Sequence, residues 1–197
     1  MSTYFETVQK SFVDVPVTEE GVDTLQFLEA TQGLIGIFDL LGSAAFSVVK
    51  NDMNGNVKKI RDRYETNPTQ NSTLEKLVEH EKPEKKRTAT EGLLWLTRGL
   101  KFTQIALERS NKTKTEELNT SFQGAYEVSL KQYHSFVVRP VFSLAMKACP
   151  YRADFYAKLG PPTANVDEEL EKWNDALGKI IMRIEAFYSK GNYAKGM

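Results

Sequence analysis

Apolar residues recur at three- and four-residue intervals along most of the chain, and short polar or proline-bearing breaks divide the runs. Tyr4, Phe5, Val8 and Phe12 give an amphipathic turn or two that ends before Pro16. Asp23 and the acids before it cap a helix through Phe27, Leu34, Ile37, Phe38 and Leu41, stopped by Gly42. Gly33 and Gly36 weaken this helix and mark close packing. Ser43 or Ser47 caps a second helix that ends near Tyr64, ahead of Asn67-Pro68.

The pattern continues with a short helix over 73–80 and a charged loop over 81–87. Thr88-Ala-Thr-Glu91 reads as a capping box opening a helix through Trp95, Leu100, Phe102 and Leu107. Apolar residues surround this helix, which predicts a central element packed on both sides. Beyond a polar linker, Phe122 to Leu144 keep helical spacing and carry Leu130 and His134, with a kink predicted at Pro140. A short segment holds Tyr151 and Phe155, and a last helix capped by Asp167 runs through Trp173 and Ile184 to Gly191. No alternating strand pattern, repeat or heptad interrupts the series, so the fold class is all-α, with about eight helices in one domain over 1–197.

One helix face departs from simple amphipathicity. Asp52, Asn56 and Lys59 stand at i, i+4 and i+7 in Lys50-Asn-Asp-Met-Asn-Gly-Asn-Val-Lys-Lys-Ile60. At ~100° per residue they share one stripe, on the shoulder of the apolar stripe formed by Val49, Met53, Val57 and Ile60. An acceptor, an amide and a cation in a row suit a ligand with several hydroxyls, and they equally suit a solvated helix edge.

Composition narrows the partners. Lys+Arg and Asp+Glu are balanced at 26 each, so no basic field points to nucleic acid. The single cysteine, Cys149, excludes an internal disulfide, and His80 and His134 are the only histidines, which leaves little for a metal site. The first residues lack a basic and then apolar leader, and no run of 18 apolar residues occurs, so a cytoplasmic location is expected. Nucleophile elbows, phosphate-binding glycine loops and paired metal-ligand motifs are all missing, and the chain does not read as an enzyme. His134 on an apolar helix, Trp95 and Trp173 are each compatible with plain core packing.

Several segments together resemble a known family. Phe38-Asp-Leu-Leu-Gly42, the Lys50–Ile60 stretch, Leu94-Trp-Leu-x-Arg-Gly-Leu100, Ala125-Tyr-Glu, Tyr133-His134 and Pro150-Tyr-x-x-Asp-Phe155 are similar in order and separation to the glycolipid transfer proteins, especially fungal heterokaryon-incompatibility members. The resemblance covers essentially the whole chain. It implies a two-layer helical sandwich holding one glycosphingolipid, such as glucosylceramide, galactosylceramide or lactosylceramide, with the sugar at the surface and the hydrocarbon in a tunnel. It further implies a monomer that works without catalysis or cofactor, reversibly peripheral to membranes.

Carried over by position, Asp52, Asn56 and Lys59 match the family's sugar-binding helix, Trp95 its stacking platform and His134 its amide anchor. Tyr193 resembles a terminal tyrosine that closes over the headgroup. The implied tunnel lining is Phe38, Phe46, Val49, Phe102, Leu130, Phe142 and Phe155, and the implied membrane contacts are Phe136, Lys147 and Tyr151, with Arg139. A second branch of the family carries ceramide 1-phosphate, using a basic residue four after the helix Asp and an Arg at the tryptophan; here those positions hold Asn56 and Trp95. Ceramide 1-phosphate transfer and an all-α scaffold without lipid cargo are the alternatives, and a hydrolase built on His134 is a third.

Overall fold

The computed structural model describes residues 2–197. Nine α-helices are formed among them: α1 (Tyr4–Thr7), α2 (Thr24–Leu40), α3 (Ser47–Thr66), α4 (Leu74–Glu81), α5 (Thr88–Lys112), α6 (Leu118–Val128), α7 (Val138–Lys147), α8 (Arg152–Leu159) and α9 (Val166–Gly191). The fold is an all-helical sandwich centred on α5, which packs against α3, α4, α6 and α9, while α2 packs on α3 and α8. Apolar residues surround α5 because it has helices on several sides, as its pattern predicts.

Local chemistry sets most boundaries. The Asp23 carboxylate accepts the Gln26 amide at 2.8 Å and caps α2. Gly36 lies where any Cβ would collide with the Tyr4 hydroxyl, which donates to the Gly33 carbonyl at 2.7 Å. The two glycines therefore let the N-terminal turn close onto α2.

Five predicted features differ. A two-residue hairpin pairs Val17–Thr18 with Gly21–Val22, too short to leave an alternating signature. Ser43 caps a 3-10 turn over Ala44–Phe46 rather than α3 itself, its hydroxyl accepting from Ala45 at 3.2 Å. The capping box at Thr88 is not made. The buried Glu81, expected in a loop, closes α4 and accepts the Ala89 and Thr90 amides at 3.0 and 2.6 Å, and so caps α5 from outside it. Asn165, not Asp167, is the N-cap of α9, and Asp167 lies in the first turn with Glu168 and Glu169.

The fifth difference matters most. The predicted helix from Phe122 to Leu144 is broken at Ser129–Val137, well before Pro140. Pro140 instead stands in the first turn of α7, where its missing N–H costs no helical bond. The intervening turn over Lys131–Tyr133 is held by Arg139, which donates to the His134 and Lys131 carbonyls at 3.1 and 3.2 Å. The break places His134 in extended backbone, free to turn its ring inward.

Candidate functional site

The site begins with the meeting of α3 and α5. A Cβ on Gly92 would lie 3.3 Å from the Asn56 carbonyl oxygen and 3.0 Å from the Lys59 Cβ, so the absent side chain lets α3 sit on α5 and the Lys59 stem lie across it. One turn earlier on α3, the Met53 side chain lies 3.6 Å from where a Cβ on Gly99 would stand, so the two helices run antiparallel and Trp95 lies level with the stretch between Met53 and Asn56. The polar stripe on the shoulder of α3 thus runs beside the indole.

Within the stripe, Asn56 is 4% exposed, and its amide donates to the Asp52 carboxylate at 3.3 Å. Burial pushes the Asp52 carboxyl above its usual range, and the Lys59 charge pulls it partly back. Lys59 is half-buried. Asn56 and Asp52 are joined by a hydrogen bond, and the Lys59 charge acts on Asp52 from the same face.

Across α5, the Trp95 and His134 rings are nearly parallel, 15° apart in plane with centroids 6.3 Å apart. His134 Nδ1 is 3.2 Å from the Tyr126 hydroxyl. With the phenol donating, the ring carries its proton on Nε2. Burial, reinforced by the nearby Arg139 charge, holds the imidazole below its usual pKa and keeps it neutral near pH 7. The arrangement presents hydroxyl partners, a flat apolar platform and one neutral donor side by side.

Beneath His134 runs a column of rings. His134 meets Phe142 at 4.4 Å, Phe142 meets Phe102 at 6.3 Å, and Phe122, Phe46 and Phe38 follow at 5.7, 6.2 and 5.6 Å. Val49, Leu130 and Phe155 are buried in the same core. Phe155 has its ring partner in Tyr156 at 5.7 Å rather than in this column. All seven residues assigned to the tunnel are therefore interior, and four of them, Phe38, Phe46, Phe102 and Phe142, belong to the ring column.

Tyr193 is brought close but turned away. Its ring stacks on Phe187 at 4.7 Å, and Arg87 donates to its carbonyl oxygen at 3.0 Å. Its neighbour Ala194 lines a cavity of about 210 Å³ with Arg98, Tyr133 and Tyr188. Phe136, in the α6–α7 break, is 84% exposed; Tyr151, just before α8, is 74% exposed, and Lys147 at the end of α7 is also exposed. Among the described residues no helix is long and apolar enough to cross a membrane, and no group of three metal-ligating side chains occurs.

Sequence reasoning missed Gly92, Tyr126 and Arg98. Arg98 stands three residues after Trp95, a spacing that puts both on one side of α5 and signals contact. Tyr126 gave no such signal, because a continuous helix would separate it from His134.

The profile of the family described as Glycolipid transfer protein (GLTP) matches residues 22–161. The chain is 49% identical over 185 residues to a glycolipid transfer protein of Aureobasidium melanogenum, covering 94% of this chain and 92% of that one. It superposes on the crystal structure of HET-C2, a fungal glycolipid transfer protein, with a TM-score of 0.90 and 51% identity, over 95% of this chain and 97% of that one. It is also similar to the structure describing how FAPP2 selects simple glycosphingolipids using this fold, with a TM-score of 0.89 and 32% identity, over 98% and 97% of the two chains.

Proposed function

Because this chain belongs to the glycolipid transfer protein family, we propose that it carries one glycosphingolipid at a time between membranes without covalent chemistry. The observation that carries this reading is the hydrogen-bonded Asp52–Asn56 pair set beside Trp95 and a neutral His134, above a column of aromatic rings. The sugar stacks on Trp95, with its hydroxyls on Asp52, Asn56 and Lys59. Asp52, Asn56 and His134 take the ends of the ceramide amide. The acyl and sphingoid chains enter between Phe38, Phe46, Val49, Phe102, Leu130, Phe142 and Phe155, displacing ring–ring contacts. Tyr193 closes the headgroup side from the chain end.

Docking uses exposed apolar residues at two turns, Phe136 in the α6–α7 break and Tyr151 between α7 and α8. Phe136 and Tyr151 enter the bilayer interface, with Arg139 and Lys147 meeting lipid headgroups. Binding is peripheral and reversible, and the carrier is a cytoplasmic monomer. Glucosylceramide and galactosylceramide are the expected cargo, with lactosylceramide also admitted.

A vesicle assay tests the reading. Donor vesicles contain labelled glucosylceramide, ceramide 1-phosphate and phosphatidylcholine, and recovered lipid is weighed against input. Glucosylceramide moves intact and phosphatidylcholine stays. Equal movement of ceramide 1-phosphate rejects the headgroup assignment, lost mass reveals hydrolysis, and no movement of any lipid favours a scaffold. Trp95→Ala abolishes transfer while the fold persists, since stacking contributes about 1 kcal/mol and orients the sugar as well.

A further inference from the structure

The platform residue has a support of its own. The Arg98 guanidinium lies 4.6 Å from the centre of the Trp95 ring and 3.8 Å from the centre of the Tyr133 ring. The two rings meet edge to face, 6.4 Å apart and 79° in plane. Arg98 is bound to no carboxylate among the described residues; the acid on the same rim, Glu185, is held by Lys101 at 2.7 and 2.9 Å. Arg98 thus has two aromatic partners and no ionic one.

What it holds is the relation between two elements. Trp95 belongs to α5, while Tyr133 ends the short turn that delivers His134. The other side of this corner borders the cavity of about 210 Å³ lined by Leu94, Thr97, Arg98, Tyr133, Tyr188 and Ala194, so no packed wall fixes Trp95 and Tyr133 there. A planar cation between two rings fills that role, because the face of each ring attracts it and its fork shape limits rotation.

We infer that Arg98 is a positioning residue for headgroup binding: its guanidinium, held between Trp95 and Tyr133, sets the indole on α5 and the His134-bearing turn in the single relative geometry that the sugar and amide require. The inference rests on the sugar-platform reading above. Arg98 itself acts through the two rings.

The test uses the full chain. Uptake of glucosylceramide from phosphatidylcholine vesicles is measured for wild type, Arg98→Met, Trp95→Ala and the double variant, together with thermal melting. Near-ultraviolet circular dichroism is recorded as well, the Trp95 contribution being the difference between wild type and Trp95→Ala. Arg98→Met is expected to lose about tenfold in affinity, to melt within a few degrees of wild type, and to lose most of the Trp95 contribution. The double variant is expected to lose less affinity than the product of the two single losses, and Arg98→Lys to recover only part of the loss, since it keeps the charge without the planar fork. Normal affinity in Arg98→Met, or losses that multiply in the double variant, overturns the inference while leaving the platform reading intact. Normal affinity in Trp95→Ala rejects the platform reading and the inference together. Should Arg98→Met fail to fold, Tyr133→Leu removes one ring of the sandwich and is expected to show the same loss; wild-type affinity there overturns the proposal.

Discussion

The side-chain amide of Asn56 donates to the Asp52 carboxylate at 3.3 Å, one turn apart on α3, and this bond stands at the rim where burial already disfavours the Asp52 charge. A carboxyl raised in the folded state contributes stability that is fully present below its unfolded pKa and lost as pH rises through the folded value. In the empty protein at neutral pH the ionised Asp52 is therefore a small liability. Asp52 also opens to solvent, which screens the effect, so Asp52→Asn should melt no more than about a degree above wild type at pH 7, and any difference should vanish near pH 3. Glucosylceramide affinity should fall about thirtyfold, because a charged acceptor is lost and its hydroxyl partner is stranded. Parallel losses of stability and affinity would make Asp52 an architectural residue.

Glu81 makes the opposite kind of contribution. Its carboxylate, 3% exposed, takes the amides of Ala89 and Thr90 and the Thr90 hydroxyl, and Tyr188 donates to the Thr90 carbonyl at 2.7 Å beside it. Glu81→Ala leaves three buried donors without this acceptor at the start of α5. Chemical denaturation should show a loss of about 2–4 kcal/mol. Transfer per folded molecule should stay unchanged, since α5 keeps its register at Trp95; a large drop in transfer with normal stability would contradict this.

These two carboxylates differ in how readable they are. The Asp52 stripe shows in the sequence because its partners lie on one helix, where spacing maps directly onto direction. Glu81 acts across a loop on the next helix, and a local capping signal at Thr88–Glu91 competes with it. Tertiary approach decided the outcome. The break between α6 and α7 was hidden for a similar reason: residues 122–144 keep helical periodicity, yet exposed Val137, Val141 and Leu144 occupy positions that the pattern assigns to a buried face. Apolar residues destined for a surface look like core residues when read in order. Pro140 drew the kink toward itself although a first-turn proline ends nothing.

His134 ties pH to stability. Burial, with Arg139 adding to it, lowers its pKa in the folded state, so the folded protein prefers the neutral ring. The unfolded chain takes up the proton first as pH falls. Stability is therefore complete above the unfolded value of about 6.5 and declines as pH drops from there through the folded value. Replacing His134 with Phe should remove that part of the profile. Melting curves from pH 7.5 to 5 should show wild type losing about a degree or two more than the variant below pH 6.5, with matching slopes above it. A variant whose profile superposes on wild type throughout would mean the ring is not held neutral.

Phe136 separates docking from binding. At 84% exposed it packs against little, so Phe136→Ser should leave the melting temperature within a degree or so. Full transfer of a phenyl side chain out of water is worth about 2 kcal/mol, and partial immersion at an interface correspondingly less. Partition onto phosphatidylcholine vesicles should therefore fall by up to about tenfold, and the transfer rate with it. Affinity for a water-dispersed short-chain glucosylceramide should be unaffected, because Phe136 lies outside the Asp52–Trp95–His134 constellation. Phe136→Trp should act in the other direction, since an indole adds a donor that favours the interfacial zone. Arg139 and Lys147 predict a further dependence: on vesicles with anionic lipid, added salt should weaken docking of wild type and Phe136→Ser alike, because it screens the charges and leaves the apolar contribution in place. If Phe136→Ser transfers glycolipid at the wild-type rate, docking does not run through the α6–α7 break and the membrane face must be sought elsewhere on the helical surface.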